Sequence, residues 1–282
     1  LLKQRIITAL ILAPLVIAGI FLLPFPAFVF AIAAITMVGF WEWTQFVDAK
    51  SRWGAMLVPA IALGASIFFM PTDVESLSVL ALSHQSMLLL GGVWWLGASM
   101  LTITYPSSSS LWSKATSLKY LFGLLTLLPF FWSILMLRAV NYAESPYHGA
   151  KLVMLVCFLV WAADTGAYFS GKRFGKRKMA PAVSPNKTIE GLVGGAVLAV
   201  LVTWGGAALM DIPFVSLGSL LVIAVLTVIA SVLGDLVESM FKRASGIKDS
   251  GSILPGHGGV LDRIDSLTAA LPIFALLYLW LV

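Results

Sequence analysis

VSLGSLLVIAVLTVIASVLGDLVESMFKR, residues 215–243, decides the fold. Positions 215–234 carry no charge, and at ~1.5 Å per helical residue they suffice to cross the ~30 Å of a bilayer's hydrocarbon. Beyond them Asp235, Glu238, Ser239, Lys242 and Arg243 stand at i, i+3, i+4, i+7 and i+8, so a helix that continues gathers all five on one face. An apolar span that runs into an ordered row of charges predicts a membrane helix whose inner end carries chemistry.

The rest of the chain repeats the apolar theme. Of 282 residues 60% are hydrophobic and 11% charged, a balance that leaves a soluble protein without polar cover. Apolar runs at about 6–23, 27–47, 54–70, 86–104, 118–137, 150–170, 189–209, 215–237 and 266–282 predict an all-α, polytopic integral membrane protein with about nine transmembrane helices. The last run is short and contains Pro272, which predicts a kink.

Placing the N-terminus inside puts Lys3, Arg5, Lys50, Arg52, Lys114, Lys119, Lys172, Arg173, Lys176, Arg177, Lys178, Lys187, Lys242, Arg243, Lys248 and Arg263 on the cytoplasmic side, sixteen of the eighteen cations. That bias predicts a cytoplasmic N-terminus and a periplasmic C-terminus. The same bias explains the net charge of +5 without any nucleic-acid partner. The first run resembles a signal peptide in charge order, but it is longer than an h-region and no small-x-small site precedes Pro24, so an uncleaved span is expected. Cys157 is the single cysteine, which excludes a disulfide framework and a thiolate metal cluster. His84 and His148 fall in polar connectors and read as surface residues. With no linker to set off a soluble part, residues 1–282 are expected to form a single membrane domain, with scaffold spans in 1–149 and catalytic spans and loops in 150–282.

Residues 234–265, GDLVESMFKRASGIKDSGSILPGHGGVLDRID, hold five of the thirteen acidic residues. Asp262 and Asp265 open the last helix, so two carboxylates there and two on the preceding helix, Asp235 and Glu238, point to a hard divalent cation such as Mg²⁺. The alternative is solvation of helix ends, with acids at an N-terminus and Lys-Arg at a C-terminus. In the turn Pro255-Gly256-His257-Gly258-Gly259, glycines admit backbone N–H groups close to an anion, and His257 either donates to a phosphate or caps the turn.

Asp164, in LVWAADTGAYFSG (159–171), is an ionisable residue within a span. Such a residue costs about 2.5–3.5 kcal/mol near the bilayer centre, which predicts a polar cavity, or a helix–helix hydrogen bond as the alternative. The basic stretch 171–191 ends in Ser184-Pro185-Asn186-Lys187-Thr188 just before a helix start. Hydroxyls, an amide and an ammonium at a positive helix end predict phosphate binding, with helix capping as the alternative. The Walker spacing is absent.

The pattern S-x-x-K-R-x-x-x-x-K-D followed by P-G-H-G-G-x-x-D-R-x-D, from Ser239 to Asp265, resembles the signature of the phosphatidate cytidylyltransferases (CDP-diacylglycerol synthases) of bacteria. D-T-G-A-Y at Asp164–Tyr168, S-P-x-K-T at Ser184–Thr188, Leu-Gly-Asp ending at Asp235, and the run around Trp41-Glu42-Trp43 are similar to that family too. The resemblance implies transfer of the cytidylyl group of CTP to phosphatidate, giving CDP-diacylglycerol and pyrophosphate, in a multi-pass enzyme of the bacterial inner membrane. It also implies Mg²⁺, with K⁺ as an option for a second cation, and a homodimer. On that footing Asp235 and Asp262 lead as metal ligands, with Asp249 and Asp265 beside them, and these four with Lys242 form the catalytic set. Lys187, Lys242, Arg243, Lys248 and Arg263 are assigned to phosphate contacts, and Asp164, Ser184, Asn186, Thr188, Ser239 and His257 complete the substrate site. The competing expectation is a cation- or proton-coupled transporter built on Asp164 and Asp235.

Overall fold

Hydrocarbon offers no partner to a backbone N–H, so apolar runs of this length fold as helices that bond internally. The computed structural model, which describes residues 2–47, 50–83 and 85–282, is built mainly of such helices. In chain order they are α1 (Leu2–Leu22), α2 (Phe25–Trp43), α3 (Arg52–Ala55), α4 (Leu57–Phe69), α5 (Val74–Ser83), α6 (Ser86–Ile103), α7 (Ser109–Trp112), α8 (Thr116–Ala139), α9 (His148–Phe174), α10 (Ile189–Leu209), α11 (Leu217–Ala244) and α12 (Leu261–Leu281). Among the described residues eight helices, with α3 and α4 joined as one, are long and apolar enough to cross a membrane, and α1 adds a shorter apolar stretch, Leu10–Leu22. His84 lies outside the described residues.

One feature differs from expectation. A short antiparallel hairpin, β1 (Lys178–Ala180) and β2 (Ser184–Thr188), stands between α9 and α10, pairing Lys178 with Thr188 and Ala180 with Ser184. Its turn is fixed from outside the hairpin: Val183 is buried, and its carbonyl accepts from Arg243 Nε at 3.2 Å. The last helix, α12, runs from Leu261 to Leu281 with Pro272 inside it.

Long-range hydrogen bonds sort the helix ends into two faces. On one, Thr8 Oγ1 donates to Pro255 O at 3.0 Å, Trp43 Nε1 to Lys119 O at 2.9 Å, and Gln45 Nε2 to Ser250 O. On the other, Arg138 donates to the carbonyls of Ile20 and Pro146, and Tyr278 to Pro213 O. Arg138, one of the two cations left off the basic side, is thereby buried on carbonyl oxygens.

Beneath the first face lies an aromatic cluster. Phe241 of α11 meets Trp43 at 4.9 Å, Trp112 at 5.0 Å and Phe46 at 5.9 Å between ring centroids. Large rigid rings fix the end of α2 against the end of α11 with little rotamer freedom left. The crossing of α11 and α12 is close because residue 234 is glycine: a Cβ there would lie 2.8 Å from Asp265 O and 2.9 Å from Ala269 Cβ. Lipid tails are as apolar as leucine, so such close backbone approach supplies the packing that holds membrane helices together. It also brings Asp235, the next residue, beside the first turn of α12.

Candidate active site

α11 begins with a reciprocal box, Ser216 and Ser219 each bonding the other's N–H at 3.1 Å, and then runs for 28 residues. That length carries the helix past the apolar span, and the five polar residues of its last turns share a face as their spacing predicts. Ser239 Oγ donates to Asp235 Oδ1 at 3.2 Å, and Lys187 Nζ from β2 lies 2.5 Å from Asp235 Oδ2. One turn on, Lys242 Nζ sits 3.1 Å from Glu238 Oε1 and 2.8 Å from Asp262 Oδ1.

Asp262 is the most fully bonded carboxylate of the group. Its Oδ2 accepts the N–H of Ser250 at 2.9 Å and of Gly259 at 2.8 Å, while its own N–H donates to Ser250 Oγ at 3.2 Å. Gly258 makes the approach possible, with φ of +84° and room for no Cβ, which would stand 2.7 Å from Asp262 Oδ2. Asp265 bonds the N–H of Ser266 at 2.7 Å and lies within electrostatic reach of Asp235, Lys187 and Lys242. Asp164 is exposed although it belongs to α9, and it faces Lys187, Asp235 and Arg263 electrostatically.

The remaining predicted residues are less tied. Arg243, Lys248, Asp249 and Arg263 are exposed on the same face, with Asp249 Cβ near Gly258. His257 is half-buried, and its Nδ1 has no hydrogen-bond partner. Ser184 and Asn186 stand on β2, and Thr188 is buried, its Oγ1 accepting Gly191 N–H at 3.1 Å. Thr188 is therefore the N-cap of α10 in this structure. Glu190 accepts the backbone N–H groups of Lys176 and Arg177 and the Arg177 Nε, and so secures the basic stretch. An apolar groove of about 480 Å³ runs along α9 and α10 past Phe174, Val193, Val197 and Leu201, with Arg177 and Glu190 also in its lining.

As a cation site the arrangement fits in part. Among the described residues no three His, Cys, Asp or Glu side chains converge as a ready cage. Mg²⁺ does not require one, since it takes one or two carboxylates together with phosphate oxygens and water. Asp235 and Asp265 offer hard oxygens, and Glu238 Oε2 is buried without a hydrogen bond. Asp262 is the least free, with one oxygen already accepting two N–H groups.

Three participants carry no mark in the signature. Glu42, at the end of α2, is 1% exposed and accepts the N–H of Val260 at 3.0 Å and of Leu261 at 2.6 Å. Gln45 bonds the Ser250 carbonyl, and Ser250 joins Glu42 to Asp262. For Glu42 the sequence offered two signals, the likeness of the Trp41-Glu42-Trp43 run to the family and an acid at the end of an apolar run.

The profile of the cytidylyltransferase family matches residues 3–281. A phosphatidate cytidylyltransferase of Haemophilus influenzae is 44% identical over 289 residues, covering 100% of both chains. That of Pseudomonas aeruginosa is 44% identical over 280 residues, 99% of this chain and 97% of its own. The Bacillus subtilis protein of the same name is 33% identical over 278 residues, 96% and 95%. With likeness running the length of the chain and the signature residues gathered on one face of the bundle, this protein belongs to the cytidylyltransferase family.

Proposed function

We infer that this chain transfers the cytidylyl group of CTP to phosphatidate, releasing pyrophosphate and leaving CDP-diacylglycerol in the membrane. The observation that carries the inference is the joining of three separated stretches, at Lys187, Asp235–Lys242 and Asp262, by two ammonium–carboxylate contacts on one face of a membrane bundle. A transporter needs carboxylates served from both sides in turn, and full-length likeness to enzymes gives that alternative no support.

A phosphatidate oxygen is already anionic near neutral pH, so it needs no strong base to attack the α-phosphorus of CTP. The new P–O bond forms as the bond to the β-phosphate oxygen breaks, and pyrophosphate leaves. The protein's task is to hold two polyanions together in line, which is a matter of positioning and charge. Arg243, Lys248 and Arg263 are exposed on the site face and suited to phosphates. Lys187 is half-buried on Asp235, where an arriving phosphate competes for its ammonium. Lys242 is held by Glu238 and Asp262 and acts from within the wall. Mg²⁺ bound at Asp235 and Asp265, with Asp249 and Asp262 near it, would supply Lewis-acid charge to the phosphates; K⁺ is the proposed second cation.

The proposed setting is the bacterial inner membrane, crossed nine times with α1 as the first span, the site face cytoplasmic and the C-terminus periplasmic, in a homodimer. The basic residues of the site face and the contact of Thr8 with Pro255 support that sidedness. The test is product formation by purified protein in detergent with phosphatidate and either CTP or ATP, with and without Mg²⁺. Metal-dependent CDP-lipid from CTP alone is expected; none from folded protein supplied with lipid refutes the proposal.

A further inference from the structure

We infer that Glu42 is a positioning residue for the turn that presents Asp262. The inference rests on the proposed place of Asp262 in the reacting site. The N-cap position of α12 is Val260, whose side chain cannot accept a hydrogen bond, so the N–H groups of Val260 and Leu261 need partners from elsewhere. Glu42 fills that role from 218 residues away, Oε1 taking Val260 N–H and Oε2 taking Leu261 N–H. A carboxylate on a helix N-terminus is a charge-assisted contact to the positive end of the helix dipole.

Glu42 does more than cap. Ser250 Oγ lies 3.4 Å from Glu42 Oε2 and accepts Asp262 N–H at 3.2 Å, while Ser250 N–H donates to Asp262 Oδ2. The two carboxylates therefore both hold the segment 250–261, and the Ser250 hydroxyl couples them. Gln45, from the same end of α2, holds the Ser250 carbonyl. The fit leaves no slack, because a Cβ at Gly259 would stand 2.6 Å from both Glu42 oxygens and 2.5 Å from Ser250 Oγ. Displacing Glu42 moves Ser250, then Asp262, then the Lys242 that Asp262 holds. The same contact closes the N-terminus of α12 to substrate phosphate, so the phosphates must be met elsewhere on the face.

The test is steady-state turnover of full-length protein in detergent, per mole of monodisperse enzyme, for Glu42→Gln, Ser250→Ala, their double variant and Asp262→Asn. Gln keeps the volume but turns one acceptor into a donor facing an N–H. Misplacement of the turn predicts a kcat loss of about 10–100-fold for Glu42→Gln, with KM for CTP within about threefold. Because both act through Asp262, the double variant should lose no more than about threefold beyond Glu42→Gln alone. A merely structural anchor predicts losses that multiply, and that result, or unchanged kcat in Glu42→Gln, overturns the inference. Should Glu42→Gln not yield folded protein, Ser250→Ala removes only the bridge; a fall in its kcat at constant KM sustains the proposal and an unchanged kcat overturns it. Full activity in Asp262→Asn would instead sink the placement of Asp262 in the site, a separate failure.

Discussion

Among the helices that begin on the site face, α10 and α12 are held at their first turns in different ways. α10 is capped by its own neighbour: Thr188 Oγ1 accepts Gly191 N–H, and Glu190 bonds the chain 13 and 14 residues before it. α12 is capped by Glu42, more than two hundred residues away, and braced by Asp262 inside a turn of glycines. A local cap defines one helix. A distant one defines how two halves of a protein meet, and here it ties the end of α2 to the turn that carries the signature.

The contrast is sharpest at Asp262. Asn there removes the charge that holds Lys242 and sets an amide against two N–H donors. Breaking a buried pair costs ~3–5 kcal/mol, and because Glu238 still holds Lys242 the loss should fall at the lower end. Denaturant unfolding in detergent reads that loss, and CTP turnover should fall by about two orders of magnitude or more. A stable, active Asp262→Asn breaks the comparison, since the α12 start would then be no more critical than that of α10. Next in size is Gly258→Ala. A residue with a side chain held at φ +84° costs ~1–3 kcal/mol, and its Cβ also presses on Asp262 Oδ2. The melting midpoint and kcat should fall together; a change in neither shows that the turn relaxes freely.

The same contrast explains what the sequence discloses. The charged face of α11 follows from residues at helical spacing, and the span behind it from twenty uncharged positions, because both are local regularities. Thr188 before a helix start was legible as either a phosphate ligand or a cap, and the contact that makes it a cap is also local. The hairpin was illegible: Pro181 and Pro185 argue against strands, and its turn is held by burial of Val183 and by Arg243. Glu42 was illegible as a site residue for a stronger reason. Its partners are backbone N–H groups, which leave no residue pattern, and they lie in the far half of the chain.

Thr188→Ala sharpens the α10 side. Loss of an N-cap costs ~0.5–2 kcal/mol, so the thermal midpoint should drop while KM for CTP stays within about threefold. Thr188→Ser should restore the midpoint, since it returns the acceptor oxygen. A large rise in KM with an unchanged midpoint would reverse the assignment and make Thr188 a phosphate ligand.

The smallest effect belongs to Arg177→Ala, and its smallness is informative. The Arg177 side chain is 71% exposed where it meets Glu190, and water screens a pair of that kind. Glu190 also accepts the main-chain N–H groups of Lys176 and Arg177, and truncating the arginine leaves both bonds in place. Melting in detergent should therefore be indistinguishable from the parent, and turnover should stay within about twofold. Glu190→Ala removes all three contacts and should shift the midpoint measurably while Arg177→Ala does not. Equal shifts from the two would mean that the exposed ion pair, rather than the carboxylate on the backbone, holds the start of α10. The start of α12 permits no such separation, because Glu42 and Asp262 share Ser250 and neither can be changed without the other feeling it.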